Sequence, residues 1–209
     1  MKNLFLAFLL FFVLTVPAFA ERVYKDREYL AFVAKAGAPE TIDWAALRAL
    51  YVETSFYDPY GGAQSIWYGL QRAGQQVVDD PSGAALKGYK ELLNKHYAHY
   101  RSHLQAIDLA TKTGTPQIDR AFHEAAFKGI LRAIRVSGDG KTPATAFQVI
   151  DPAEEHMILK TFHYRLNGQD FRQKDGHFWD VLKYTNPQTN TDGEMFFNVD
   201  TILRASSRG

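Results

Sequence analysis

Apolar residues recur at two different spacings along this chain, and the change between them limits the folds that it can adopt. Up to about residue 137, Ala, Leu and aromatic residues recur every three or four positions, as on one face of a helix. Beyond it, short β-type runs are separated by Gly, Asn, Asp and Pro. The pattern predicts an α+β fold, mainly α, with a helical part over residues 21–136 and a small α+β part over residues 137–203 packed on it.

The helical part predicts stacked helical hairpins in the style of tetratricopeptide proteins, although no clean repeat is visible. Helices are expected over three early stretches: 29–33, 44–51 and 65–78. A later helix is expected to start with Thr115 as its cap and Pro116 in its first turn. Residues 84–111 fit either one long helix or two, with a break expected near residues 98–101.

The second part predicts a small antiparallel sheet with one helix packed on it. Strands are expected over three stretches: 146–150, 178–184 and 194–201. The helix is expected to start after Asp151, which can cap it, and to end near His163. Residues 204–209 are expected to form a disordered tail.

The first twenty residues have the three parts of a secretory signal peptide. Lys2 precedes an apolar run over residues 4–16, and the small-x-small triplet Ala18–Ala20 follows. The apolar run is shorter than the roughly 20 residues of a membrane-spanning helix. We therefore expect cleavage after Ala20, no stable membrane anchor afterwards, and a protein that is periplasmic or secreted.

Composition narrows the possible partners and cofactors. The sequence contains no cysteine, which excludes disulfides, thiol catalysis and a lipid-modified N-terminus. Without Lys2, the 24 basic residues become 23 and balance the 23 acidic ones. A protein that binds nucleic acid through its phosphates concentrates Lys and Arg, and this chain does not. We expect no nucleic-acid partner and no cofactor.

Several short motifs occur in a recognisable order. They comprise Asp43, Leu47, Arg48, Tyr51, Thr54, Tyr57, Pro59, Tyr60, Phe122, His123, 129–131, 137–142, 145–150, Glu154, Glu155 and 197–200. The set resembles an uncharacterised family of exported bacterial proteins, domain of unknown function 4919, over roughly residues 40 to 200. The resemblance implies secretion and one shared architecture, and it implies no activity, cofactor or catalytic residue.

The densest aromatic region offers a candidate binding site. Tyr57, Tyr60 and Trp67 lie around a glycine-containing turn, where exposed aromatic rings can stack on a sugar or a peptide. The same rings can instead fill gaps between helices. The sequence leaves both interpretations open.

Histidine spacing raises the question of a metal site. His96, His99 and His103 would share one edge of a continuous helix, but the expected break near residue 100 separates them. The segment from His123 to Phe127 is one histidine short of the zinc-protease helix, because Phe127 occupies the second ligand position. We expect no metal site.

Two sets of side chains are weak candidates for catalysis. The first set is His103, His123 and Asp139, of which His123 is also expected to be a buried structural histidine at the edge of an apolar helix face. The second is the pair Glu154 and Glu155, whose side chains diverge by about 100° on a helix and need a partner acid from another element. Favourable charge at a helix N-terminus is the preferred explanation of the pair.

These patterns favour a non-catalytic binding or scaffold protein of the cell envelope that engages a protein or a peptide. A periplasmic enzyme that uses histidine and carboxylate groups, or a glycan-binding module, is the alternative. Convergence of the candidate residues on one concave pocket would favour an enzyme, and their dispersal into the core would favour a scaffold.

Overall fold

The computed structural model of the protein describes residues 23–60, 62–80 and 83–206. For residues 62–64 it describes the backbone alone. Over these residues the chain forms eight α-helices: α1 (Asp26–Ala34), α2 (Trp44–Tyr51), α3 (Gly62–Asp79), α4 (Ala84–Lys95), α5 (Tyr100–Thr113), α6 (Arg120–Val136), α7 (Pro152–Thr161) and α8 (Asp200–Ser206). It also forms four strands: β1 (Phe147–Gln148), β2 (Arg165–Lys174), β3 (His177–Asn186) and β4 (Thr191–Asn198). The α+β fold, mainly α, is confirmed.

Short polar side chains set where several helices start. Asp43 accepts a hydrogen bond from the Ala46 amide at 2.9 Å and so caps α2. The prediction for α6 was wrong, because Thr115 and Pro116 lie in the turn that follows α5. Asp119 caps that helix instead, through a 3.1 Å bond from the Phe122 amide.

The ambiguous stretch 84–111 forms two helices. α4 ends at Lys95 and α5 begins at Tyr100, so the expected break is confirmed. Helix α3 packs against both α4 and α5, and α5 packs against α6. Tetratricopeptide-like packing is not confirmed.

The sheet has the strand order β1-β4-β3-β2 and is mixed rather than antiparallel. The short β1 pairs in parallel with β4, because α7 and the β2–β3 hairpin intervene and return the chain in the same direction. The other two pairings are antiparallel. The expected strand over 146–150 shortens to two residues, and the expected helix end moves from His163 to Thr161.

Strand β2 was missed because it carries few apolar residues. It forms the outer edge of the sheet, pairs with β3 alone, and exposes most of its side chains. A turn signal was present in the sequence. Asp175 and Gly176 adopt φ values of 52° and 79°, as the central residues of a tight hairpin require.

Two buried clusters form most of the core. The larger one includes residues of both parts, among them Tyr29, Leu47, Tyr51, Ile130, Phe147, Ile158, Leu182, Phe197 and Ile202. The smaller one lies among α3, α4 and α5 and includes Ile66, Leu70, Tyr89, Leu93 and Leu109. The larger cluster therefore connects the helical part to the sheet.

The two chain ends bear on three expectations. Helix α8 continues through Ser206, so residues 204–206 are helical and do not start a tail, and residues 207–209 lie outside the described residues. The expected signal peptide, residues 1–20, also lies outside them. Within the described part, no helix combines the length and the apolar composition that a membrane crossing needs.

Gly129 lets α2 and α6 approach each other closely. The Trp44 indole lies over Gly129, and its Nε1 donates a 2.9 Å hydrogen bond to the Pro39 carbonyl. A β-carbon at position 129 would overlap the indole ring. Moving the ring would break a buried hydrogen bond, so the glycine is a packing requirement.

We expect Gly129→Ala to lower the free energy of unfolding by about 1–3 kcal/mol, as for other overpacked cores. At about 2–4 °C per kcal/mol, the thermal midpoint measured by circular dichroism should fall by several degrees. Gly88→Ala is the matched control, because Gly88 lies in α4 with open space around it. There the better helix propensity of alanine should raise stability by up to about 1 kcal/mol. Equal effects in the two variants would contradict the packing argument.

Candidate functional site

A buried ion pair lies where the helical part meets the α+β part. Arg48 of α2 donates from Nη1 and Nη2 to Oε1 and Oε2 of Glu154 in α7, at 2.5 and 2.8 Å. The two side chains are 6% and 0% exposed. The Ile150 amide also donates to Glu154 Oε2 at 2.9 Å. Both carboxylate oxygens are thus satisfied, as a buried charge requires.

The turn before α7 positions this pair. Asp151 caps the helix through a 2.6 Å bond from the Ala153 amide, and Pro152 occupies the first turn. This local geometry orients Glu154 toward Arg48. Tyr57 secures the same turn, because its hydroxyl donates to the Ile150 carbonyl at 2.8 Å.

Asp151 also binds His99, which precedes α5. His99 Nε2 lies 2.6 Å from Asp151 Oδ2, and both side chains are 3% exposed. His99 Nδ1 accepts from the Arg101 amide at 3.2 Å, so Nε2 is the nitrogen that donates to Asp151. Burial alone would raise the pKa of Asp151, but the hydrogen bond and the charge of His99, with the Ala153 amide, lower it. The carboxylate is therefore ionised.

His103 and His123 form a second buried pair. His103 Nε2 donates to the Tyr97 carbonyl at 2.7 Å, so its Nδ1 accepts from His123 Nδ1 at 2.9 Å. Burial lowers the pKa of His103 to about 3, and the neighbouring His123 lowers it further. Burial likewise lowers the pKa of His123 to about 4. Both rings are neutral and enclosed, which suits a structural role.

Asp139 does not join these histidines. It lies in an exposed turn after α6, where its carboxylate accepts from the Lys141 amide at 3.0 Å and lies 3.6 Å from Lys141 Nζ. The catalytic candidates His103, His123 and Asp139 therefore do not converge on one pocket.

His96, His99 and His103 also bind different partners, because the break between α4 and α5 separates them. His96 Nδ1 is 3.0 Å from the Tyr51 hydroxyl, and burial lowers the pKa of His96 to about 4. Within the residues that the structure describes, no three His, Asp or Glu side chains come together as a metal site.

Glu155 forms a carboxyl pair that sequence reasoning did not find. Its side chain is fully buried, and neither oxygen has a hydrogen-bond partner among the described residues. Asp180 of β3 lies close enough for its charge to act on Glu155. Burial raises the pKa of Glu155 to about 9, and the charge of Asp180 raises it further. Because two carboxylates can only accept, the pair requires a proton, which Glu155 holds at neutral pH.

Glu154 and Glu155 are adjacent on a helix and point in different directions, so they cannot form a pair with each other. Asp180 is the acid from another element that lies next to Glu155. The contact joins α7 to β3 and depends on how the helix packs on the sheet, so sequence spacing could not reveal it. Tyr60 lies close enough to interact with Asp180 and Glu155, while its own side chain remains 57% exposed.

A groove opens beside α7, and we call it the aromatic–basic groove. Its cavity volume is about 570 Å³. Its lining comes from α3, α5, α6 and α7: Trp67, Tyr100, Arg101, Leu104, Phe127, Ala153, His156, Met157, Lys160 and Thr161. Three lining residues are basic and none is acidic, so the groove favours an anionic ligand.

Arg101 is the central group of the aromatic–basic groove. Its guanidinium carbon lies 5.8 Å from the Trp67 ring centre and 5.6 Å from that of Tyr100. Arg101 Nε is buried without a hydrogen-bond partner among the described residues. Both rings contact the guanidinium, which holds the side chain in place and leaves the Nε donor unused.

Of the three residues predicted to bind a ligand, Trp67 alone lines this groove. Tyr57 is half-buried and bonded to the turn before α7, and Tyr60 lies by the carboxyl pair. Sequence reasoning missed His156 and Lys160, although their spacing of four residues places them on one face of α7.

Replacing His123 with alanine should destabilise the protein by about 1–3 kcal/mol at pH 7, because His103 Nδ1 loses its donor. The folded pKa of His123 is below its unfolded value, so its contribution is lost as the pH falls from about 6.5 toward 4. The variant should therefore lose stability less steeply over that range, by up to about 1.4 kcal/mol per pH unit. Urea unfolding at several pH values measures both effects. The exposed Lys112→Ala is the control, and a stability unchanged or raised by His123→Ala would contradict the structural role.

Glu155→Gln should stabilise the protein above neutral pH. The folded pKa of Glu155 is above its unfolded value, so the wild-type protein loses stability as the pH rises from about 4.5 toward 9. Glutamine carries no charge and its amide can donate to Asp180, so the variant should lose less stability over this range. Glu154→Gln is the matched control on the same helix, and it should destabilise by about 3–5 kcal/mol because Arg48 loses its counter-charge. A Glu155→Gln variant less stable than wild type at pH 8.5 would refute the protonated pair.

Comparison with known proteins agrees with the motif pattern. No curated protein and no solved structure matches the chain. The family described as "Domain of unknown function (DUF4919)" matches residues 39–208. This range includes α2 to α8, the whole sheet and the buried ion pair of Arg48 and Glu154. The chain belongs to the DUF4919 family.

Proposed function

We propose that this protein is an exported, non-catalytic binding protein whose aromatic–basic groove takes an acidic peptide segment of a protein partner. The observation that carries the proposal is Arg101, which is held between Trp67 and Tyr100 with a buried donor unused. A guanidinium that is held in place and keeps one donor unused loses little entropy when it binds a carboxylate.

Charge favours an acidic partner. Arg101, His156 and Lys160 line the groove, and the lining contains no acidic side chain. Asp151, the nearby carboxylate, is already bound to His99 and the Ala153 amide. The charge of Asp151 also acts on Arg101, but an incoming carboxylate meets a groove wall whose own charged side chains are all basic.

The apolar lining favours a peptide over a small inorganic anion. Leu104, Phe127 and Met157 provide surfaces for side chains that alternate with acidic residues. Methionine adapts to ligands of different shape. A cavity of about 570 Å³ lies within the range of natural ligand sites and accommodates several side chains.

The alternative functions have less support. An enzyme that uses His103, His123 and Asp139 requires all three groups to meet at one pocket. His103 and His123 bind each other in the core, and Asp139 lies in an exposed turn. A glycan site built on Tyr57 and Tyr60 requires free aromatic faces at one place. Tyr57 bonds to the turn before α7, and Tyr60 lies beside a carboxyl pair instead.

Two features support the proposed location in the periplasm or outside the cell. Residues 1–20 have the order of a signal peptide, and cleavage after Ala20 would leave the DUF4919 region whole. The absence of cysteine suits a compartment in which thiols oxidise.

Fluorescence anisotropy with labelled peptides tests the proposal. A peptide that alternates Glu with Leu or Phe should bind at least about tenfold more tightly than the same peptide with Lys in place of Glu, and added salt should weaken it. Lys160→Gln and Arg101→Gln should each weaken binding several-fold.

Lys112→Gln is the control, because Lys112 is an exposed lysine of α5 outside the groove. Equal affinity for the Glu and Lys peptides would refute the proposal. So would an affinity that Lys160→Gln leaves unchanged, because this exposed side chain can be replaced without disturbing the fold.

A further inference from the structure

One side of α6 carries three cationic side chains that do not line the aromatic–basic groove. Lys128, Leu131, Arg132 and Arg135 lie at positions i, i+3, i+4 and i+7, so they share one side of the helix. Together with Val136 they line a cavity of about 370 Å³. The three cations are exposed, Leu131 is half-buried and Val136 is 73% exposed. We call this surface the basic face of α6.

The cations of the basic face repel one another. Lys128 and Arg132 are four residues apart, a spacing at which like charges destabilise a helix. Neither forms an ion pair with an acidic side chain among the described residues. At the same spacing in the first half of α6, Arg120 and Glu124 attract each other across 2.8 Å. The helix dipole favours a cation in the last turn, which explains Arg135 but neither of the other two.

Acidic groups lie on one side of the basic face. A neighbouring cavity of about 560 Å³ opens between α6 and the start of α2, where Lys128 and Arg132 line it together with Glu40 and Asp43. The 370 Å³ cavity and the aromatic–basic groove have no acidic side chain in their linings. An acidic segment in the groove is therefore attracted toward the basic face and repelled beyond it.

The basic face is continuous with the aromatic–basic groove. Phe127, which lines the groove, lies about one turn before Leu131 on α6. The guanidinium carbon of Arg135 lies 5.0 Å from the ring centre of Phe162, which follows the groove residue Thr161. A ligand that leaves the groove between α6 and α7 therefore passes over half-buried apolar side chains and reaches the cations.

We propose that the acidic segment of the partner continues from the aromatic–basic groove onto the basic face of α6. Its carboxylates bind Lys128, Arg132 and Arg135, and an apolar side chain packs against Leu131. The path from Phe127 to Arg135 follows the helix for about 12 Å, because each residue rises about 1.5 Å. An extended segment covers this distance with about four residues. This inference rests on the proposed function of the groove and adds a second contact surface to it.

Fluorescence anisotropy with peptides of two lengths tests the inference on the full chain. The short probe has about six residues that alternate Glu with Leu, and each of two long probes adds about four more in the same pattern at one end. We expect one long probe to bind at least about fivefold more tightly than the short probe, because its added carboxylates reach the basic face. The same extension with Gln in place of Glu should change affinity less than about twofold.

The double variant Lys128→Gln, Arg132→Gln should remove this gain and change the affinity for the short probe less than about twofold. The matched control is the double variant Lys112→Gln, Arg120→Gln. It removes the same two positive charges from exposed positions of α5 and α6 that line neither surface. The control should keep the gain, and circular dichroism checks that both variants are folded.

The two peptide lengths separate this inference from the proposed function. Binding of the short probe without a gain from either long probe, or a gain that the Lys128→Gln, Arg132→Gln variant keeps, would overturn the inference and leave the groove proposal standing. A short probe that does not bind would refute the proposed function and this inference with it. Vesicles of equal parts phosphatidylglycerol and phosphatidylcholine test an anionic membrane instead. The inference also fails if the variant loses vesicle binding but keeps its affinity for the long probes.

Discussion

The ion pair between Arg48 and Glu154 is the interaction on which the rest of the structure depends. It joins α2 of the helical part to α7 of the α+β part, and both charges are almost fully removed from water. A buried charge without its partner is very unfavourable, so the two parts can pack in the observed way only when these side chains meet. The Ile150 amide and the Tyr57 hydroxyl secure the same turn, which leads from β1 into α7. One contact thus couples the sheet, the helix on it and the helical part.

We call the contact region between the helical part and the α+β part the junction. Other buried titratable groups near it are kept uncharged in two opposite ways. His103 and His123 remain neutral because burial makes each of them lose a proton. Glu155 remains neutral because it keeps one. Both follow from the cost of placing a charge where water cannot reach it. These groups therefore make the stability depend on pH in opposite directions.

The aromatic–basic groove continues this junction, because Asp151 binds His99, and the His99 ring accepts from the amide of Arg101. The position of the groove arginine is thus linked to the cap of α7.

The sequence by itself determined the change from helices to strands, the break between α4 and α5, and the cap at Asp151, because these depend on residues close together in the chain. Tertiary structure alone decided the parallel pairing of β1, the edge strand β2 and the contact between Glu155 and Asp180. These features join segments far apart in sequence, and local spacing carries no information about which distant segments meet. For the same reason, the sequence showed which side chains have the chemistry of a site. Only the packing of the two parts showed which of these side chains contact each other.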